Sequence, residues 1–365
     1  MRLLLKSFIL CLDAGSSSLK FALYDAARGD CALVRAGEVP AREGTETAVR
    51  TLWEQLEERP AAVGHRIVFG GRKYVEPTRA KPEVLRELEL LVPIEPLHLR
   101  PELDLVYAVA RLDAAIPQIL CFDTAFHRQM PDVAKRYPLP RNLDPLVERY
   151  GFHGLSYEYV VSALGGPPGR TVIAHLGSGA SLCALIDGAP IDTTMGFSAL
   201  GGLMMGTRPG DLDPGVLLWL IEAHDYNKDR LTELLYRRSG LLGVSGSSSD
   251  MKTLLEALAS DENARQAVEL FTYQLVKHLG AMIAVLGGLD TLVFTGGIGE
   301  RASAIRAAAC RPLAYLGISI DAGANARNEA IISSRGPVTV RIVPTNENLM
   351  IARHVLEKFT KPSQG

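Results

Sequence analysis

Hydrophobic residues fall along this chain in short continuous runs that end in glycine or serine, separated by longer stretches with helical spacing. Phe8-Ile-Leu-Cys-Leu12 runs into Asp13-Ala-Gly-Ser-Ser-Ser-Leu-Lys20, then resumes as Phe21-Ala-Leu-Tyr24 before a turn at Asp25. The run from Thr171 to Ala174 meets His175-Leu176-Gly177-Ser178-Gly179, resumes from Leu182 to Ile186 and turns at Asp187-Gly188. Each segment predicts a strand, a tight polar loop and a second strand. Aligning Gly15 with Gly177 and Leu19 with Leu182 takes a one-residue shift, so the repetition is approximate, and it suggests an internal duplication. Glycines let backbone N–H groups approach an anion closely, and His175 and Ser178 add donors beside them. Two unrelated serine-rich turns would look the same taken singly.

The remaining pattern predicts helices over 47–58, 82–91, 102–112, 156–164, 214–224, 229–237, 263–287 and 348–359, and strands over 62–69, 119–123, 291–295 and 338–343. Arg66 lies inside an apolar run, so its guanidinium must meet an anion, either a carboxylate of the protein or a ligand. Asp123 and Glu347 fall at predicted strand ends, where a carboxylate projects into a ligand crevice or caps the next turn. Glu347 is equally a candidate metal ligand. Residues 128–150, rich in proline and charge, read as a connection between domains. His153 stands between glycines ahead of a helix, and a lone histidine, taken by itself, is more often structural than catalytic. Gly206 and Gly210 flank a single arginine, Arg208. Residues 239–251 read as a loop that packs through Leu241, Leu242 and Val244. Gly296-Gly297-Ile298-Gly299-Glu300 between a strand and a helix makes a nucleotide site plausible, because small residues leave room for a flat ring.

At 365 residues the chain is too long for one ordinary core, so two domains are expected. With 47% hydrophobic and 22% charged residues and a formal charge of -2 it lacks the basic field that nucleic acid or an anionic membrane requires, which points to a small substrate. Five cysteines without a C-x-x-C pair read as reduced thiols of a cytoplasmic protein, with no zinc. The apolar start is interrupted by Lys6 and has no small-residue cleavage site, so it reads as a strand rather than a signal peptide.

Taken in order, Asp13-Ala-Gly-Ser-Ser-Ser-Leu-Lys, Gly64-His-Arg-Ile-Val, Phe122-Asp-Thr-Ala-Phe-His, Tyr150-Gly-Phe-His-Gly, His175-Leu-Gly-Ser-Gly, Asp192-Thr-Thr-Met-Gly-Phe, Gly202-Leu-Met-Met-Gly-Thr-Arg, Gly296-Gly-Ile-Gly-Glu and Pro344-Thr-Asn-Glu resemble the acetate kinase family over nearly the whole chain. The resemblance implies an α/β fold, duplicated and ribonuclease H-like (the actin-like ATPase fold), with two domains and an interdomain cleft. Residues 1–127 with 349–365 would form the first domain, and 128–348 a second carrying most of the nucleotide site. It implies reversible, Mg²⁺-dependent phosphorylation of a small carboxylate by ATP, giving an acyl phosphate and ADP, in a homodimer.

Matching positions make Arg66 and Arg208 the cationic clamp, His153 a hydrogen-bond donor to the transferring group and Asp123 the catalytic carboxylate. Asp13 and Glu347 would lie near Mg²⁺, and Lys20 near a phosphate. His175, Leu176, Gly177, Ser178 and Gly179 would surround ATP, together with Asp250, Met251, Lys252, Gly297, Ile298, Gly299, Glu300 and Arg301. Val68, Leu97, Phe152 and Ala199 would line the acyl pocket. The chain departs from the family in having Asp13 and Arg301 where asparagine is usual, Ser178 for asparagine, Phe69 and Tyr157 for histidine, and Ala199 for proline. The last of these makes propionate or butyrate an alternative to acetate. Two further rivals are a relative using another phosphoryl donor, which the small Gly296 to Gly299 disfavour, and a catalytically silent nucleotide-binding relative.

Overall fold

The leading apolar run forms β1 (Phe8–Ala14), which pairs antiparallel with β2 (Ser18–Asp25); β2 in turn pairs antiparallel with β3 (Ala32–Pro40). On its other side β1 is parallel to β4 (Ala62–Ile67), and β4 to β6 (Gln118–Phe122), with the two-residue β5 (Thr78–Arg79) antiparallel at the edge. Leu10 and Leu12 point to one face of β1 and pack with Val49 and Leu52 of the helix Thr45–Gln55 and Leu105 and Val109 of the helix Leu99–Leu112. Ile9 and Cys11 point to the other and pack with Ile351 and Val355 of the helix Glu347–Thr360. Burial on both faces explains why the run is continuously apolar instead of alternating. The last helix lies close on β4: a Cβ on Gly64 would stand 2.4 Å from the Ile351 side chain, so only glycine fits there.

The second sheet repeats the path. β7 (Arg170–Leu176), β8 (Ala180–Ile186) and β9 (Ala189–Thr193) run antiparallel, and β7 is parallel to β10 (Thr291–Thr295), which is parallel to β11 (Thr339–Ile342). Strand order is β3-β2-β1-β4-β6 in one sheet, before the added β5, and β9-β8-β7-β10-β11 in the other, so the suspected duplication extends to five strands in each half. The helix Glu262–Leu286 starts at Asp261, whose carboxylate accepts from the Asn263 and Ala264 N–H groups. It buries Phe271, Leu275, Leu279 and Met282 at helical spacing and ends at Gly287.

The computed structural model describes residues 8–15, 18–166 and 169–360. Residues 1–7 of the leading segment, Ser16 and Ser17 of the first loop, and 361–365 lie outside the described residues. Two compact units result, one of Met1–Arg128, Phe152–Tyr159 and Asn346–Gly365, the other of Gln129–Gly151 and Val160–Thr345.

Several local expectations are corrected. The helix expected over 102–112 begins three residues earlier, at Leu99, because Pro101 falls in its first turn, where the missing N–H leaves no bond unmade. The loop expected over 239–251 contains a helix, Gly240–Ser245, and ends in the first turn of another, Met251–Ala257. The turn expected at 296–300 is itself helical, Gly296–Arg301. Asp132–Lys135 forms a helical turn within the supposed connection, and Arg149 there donates to the Thr193 and Thr194 carbonyls.

Candidate active site

Parallel strands of an α/β sheet present their carboxyl ends to ligands. In the first unit Asp13 near the end of β1, Arg66 near the end of β4 and Asp123 just beyond β6 meet there, because Leu12 pairs with His65 and Arg66 with Cys121 in register. Arg66 Nη2 lies 2.5 Å from Asp123 Oδ2, and Nη1 lies 3.4 Å from both Asp13 Oδ1 and Glu102 Oε1. Its Nε stands 3.6 Å from Glu347 Oε2 at the start of the last helix. Lys20 on β2 is the direct register partner of Asp13 on β1.

One guanidinium among four carboxylates leaves excess negative charge in a poorly solvated place. Burial pulls the Arg66 guanidinium down, but the carboxylates, Asp123 foremost, more than offset this and hold it well above its ordinary value. Burial also lifts Asp123 above the usual carboxylate range against the pull of Arg66, and raises Glu102 further. Glu347 is pushed up to about 7, first by burial and then by Asp123. Asp123 Oδ1 is buried without a hydrogen-bond partner. Among the described residues no three His, Cys, Asp or Glu side chains are grouped to hold a metal ion.

His153 follows closely on this cluster, since the Gly154 N–H donates to the Asp123 carbonyl at 2.8 Å. Its backbone is left-handed, φ +58°. Val68 and Phe152 are buried in the same unit and Leu97 is half-buried. The Phe152 ring stacks on Phe69. Tyr157 is fully buried beside Phe126 and His127.

In the second unit the loop after β7 and the turn after β10 follow adjacent parallel strands, with His175 opposite Thr295. The Gly177 N–H donates to the Gly179 carbonyl, and the Gly206 N–H to the Ser178 carbonyl. A Cβ on Gly177 would stand 3.8 Å from His175 Nε2 and 3.9 Å from the Gly297 nitrogen, while one on Gly206 would meet Ser249. The Gly177–Gly179 loop, Gly206, Ser249 and Gly297 therefore lie together. Leu176 and Gly299 are buried, and Ile298 is half-buried.

Other expected nucleotide residues have structural partners. Asp250 caps the helix Met251–Ala257 by accepting from the Lys252 N–H, Met251 is buried, and Lys252 pairs with Glu256 on the surface. Glu300 accepts from the Thr345 N–H. The exposed Arg301 lays its guanidinium over Gly297, where Nη2 is 2.7 Å from the place a Cβ would take. Arg208 Nη1 donates to the Ala199 carbonyl at 2.8 Å.

Two residues of this chemistry escape a reading of the sequence. Glu102 is 1% exposed, and its Oε2 accepts the Val68 N–H at 2.8 Å. It shares the buried stripe of Leu99, Leu103 and Val106, and an acid on an apolar stripe was the available signal. Arg306 is fully buried and donates to the Gly299 and Asn325 carbonyls and to the Asn325 and Asn328 side chains, which ties down the glycine-rich turn.

A sheet path used twice, with polar side chains gathered at the carboxyl ends of its parallel strands, defines an α/β protein of the actin-like ATPase fold. The model of the acetokinase family matches residues 36–353. An acetate kinase of Rhodopseudomonas palustris is 45% identical over 95% of this chain and 97% of its own. Among solved structures, acetate kinase of Porphyromonas gingivalis is 36% identical with a TM-score of 0.83, and a propionate kinase of Francisella tularensis is 32% identical with a TM-score of 0.87. Each covers 95% of this chain and 98% of its own. The chain belongs to the acetokinase family.

Proposed function

We propose that this protein transfers the γ-phosphoryl group of ATP reversibly to a short-chain carboxylate, acetate first, in a direct in-line reaction. As a member of the acetokinase family the chain is a phosphotransferase with a carboxyl group as acceptor. The observation that carries the assignment of roles is Arg66 held among four carboxylates at the carboxyl ends of parallel strands.

A carboxylate oxygen of the acid attacks the γ-phosphorus while the bond to the bridging β,γ-oxygen breaks, and ADP carries away the electron pair. No proton need move, because the acid is ionised at neutral pH. Asp123 accordingly orients Arg66 and does not act as a base. Arg66 neutralises the acid and Arg208 the charge of the transferring group, a contribution of about 10³ or more in rate for a well-aimed arginine. His153 donates a hydrogen bond to that group. Lys20, the His175–Gly179 loop, Asp250 to Lys252 and Gly297 to Arg301 receive the nucleotide.

The donor set fits Mg²⁺. This ion keeps much of its own water and takes one or two carboxylates along with phosphate oxygens, so it needs no preformed centre of three protein ligands. The partly exposed Asp13 and Glu347, the unpartnered Asp123 Oδ1 and the local excess of negative charge supply such a place. Bound there with the nucleotide, Mg²⁺ supplies neutralisation of phosphate charge.

Ala199 favours propionate or butyrate as second substrates, because it carries less bulk than proline. The free cysteines, read as reduced thiols, support a cytoplasmic protein; no helix among the described residues is long and apolar enough to cross a membrane. The helix Pro214–His224 buries none of its residues and exposes Leu218, Trp219 and Ile221, which supports a homodimer. The hydroxamate assay for acyl phosphate, with ATP, Mg²⁺ and acids of two to four carbons, tests the reaction. Product is expected with acetate, and no product from any acid, with ATP still bound, would leave a silent nucleotide binder.

A further inference from the structure

His127 ends the segment Phe122-Asp-Thr-Ala-Phe-His, and phosphoryl transfer as described makes no use of it. Its ring is buried, 1% exposed, in the short 3₁₀ turn Ala125–Gln129 that follows β6. Nε2 stands 3.0 Å from the Phe152 carbonyl oxygen, and Nδ1 has no partner. A carbonyl only accepts, so the hydrogen sits on Nε2 and Nδ1 is left with a bare, buried lone pair. The rings of Phe126 and Tyr157 meet the imidazole edge to face, with centroids 5.5 and 5.6 Å away, and fix its plane. Burial holds the ring's pKa down at about 4, so it stays a neutral donor at physiological pH.

The acceptor is the carbonyl that precedes His153. Two peptide planes set the backbone of His153: the one shared with Phe152 fixes φ, and the one shared with Gly154 fixes ψ. His127 holds the first plane by its carbonyl, and the Asp123 carbonyl holds the second by accepting the Gly154 N–H at 2.8 Å. Only glycine can follow His153, since a Cβ on Gly154 would stand 2.1 Å from that Asp123 oxygen. His153 itself is left-handed, a conformation that residues with a side chain adopt only when their surroundings impose it. These two fastenings come from the single segment Asp123 to His127, which also carries the carboxylate bound to Arg66, and the Tyr157 N–H adds a third by donating to the His153 carbonyl at 3.0 Å.

We propose that His127 is a positioning residue, whose Nε2–H clamps the peptide before His153 and keeps the His153 imidazole aimed at the transferring phosphoryl group. The inference rests on the role given to His153 above. In steady-state assays His127→Leu is expected to lower kcat by about 10²-fold, the size of effect a small misplacement near the chemistry produces, while the KM for ATP stays nearly constant. His127→Gln keeps an N–H at the reach of Nε2 and is expected to recover most of the rate, whereas the shorter His127→Asn is not. In a His153→Ala background His127→Leu is expected to change kcat no further. Hydrogen exchange at the Gly154 amide is expected to quicken in His127→Leu and His127→Asn, and to stay slow in His127→Gln.

Equal losses in the Gln and Asn variants, or the same fold-loss from His127→Leu with and without His153, would overturn the proposal. If the Leu variant does not fold, the Gln and Asn pair carries the comparison. If the unaltered protein makes no acyl phosphate, the kinase reading fails by itself, while exchange at Gly154 still decides whether His127 holds this backbone.

Discussion

Replacing Arg66 with methionine keeps a long apolar stem and removes the charge that four carboxylates share. Their contacts with the guanidinium run from 2.5 to 3.6 Å, and the side chain is 16% exposed, so water replaces little of what is lost. Removing one partner of a buried ion pair typically destabilises a protein by about 3–5 kcal/mol, mostly through the charge left behind. The stranded carboxylates can escape part of that by taking up protons. Burial already holds Glu347 up at about 7, and without the arginine Asp123, Glu102 and Glu347 move further above their unfolded values.

Between the unfolded and folded pKa the native state then binds more protons than the unfolded chain, so stability falls as pH rises through that window. The deficit of Arg66→Met should therefore be larger at pH 8 than at pH 5.5, by about 3 kcal/mol for one additional proton held across that window. The chain has only two tryptophans. Trp53 is buried in the first unit and Trp219 is exposed in the second, so urea unfolding in a Trp219→Phe background follows the unit that holds Arg66. An equal loss at the two pH values would refute the argument and leave Arg66 a packing element.

Two further outcomes can be checked. The native pKa of Glu347, about 7, stands above the ordinary value of 4.5, so its contribution to stability is full at low pH and is lost as pH rises through 7. Glu347→Gln should flatten that decline in thermal melts taken from pH 5 to 8, and an unchanged slope would place the titration elsewhere. Arg208→Ala should lower kcat by about 10³-fold, far more than Arg301→Ala, whose guanidinium lies over Gly297 on the surface. Comparable kcat losses would mean that the roles are assigned wrongly.

Strands buried on both faces were legible in the sequence because burial writes a continuous apolar run, as in β1, β7 and β10. β3 was not: nearly all of Ala32–Pro40 is exposed, and it is a strand because it pairs with β2, whatever its own pattern suggests. The glycines of 296–299 argue for a turn, yet the segment is helical and its Gly299 carbonyl accepts a hydrogen bond from buried Arg306, so tertiary contacts override propensity there. Arg66 could be recognised as needing an anion, since a charge inside an apolar run has few alternatives. That it meets four carboxylates depends on strand register, which one sequence does not display. The left-handed backbone of His153 was invisible for a similar reason, because no residue type announces it.

The helix Glu347–Thr360 has a consequence for how the protein is made. It is the last described element of the chain, yet it supplies Ile351 and Val355 to the core beneath β1 and β4, and Glu347 to the charges around Arg66. The intervening residues, including Val160–Thr345, are synthesised before that helix. Translation thus offers the second unit a complete set of strands while the first, whose own strands were synthesised long before, waits with one face of its sheet uncovered. The earliest part of the chain to be synthesised is the last able to finish folding.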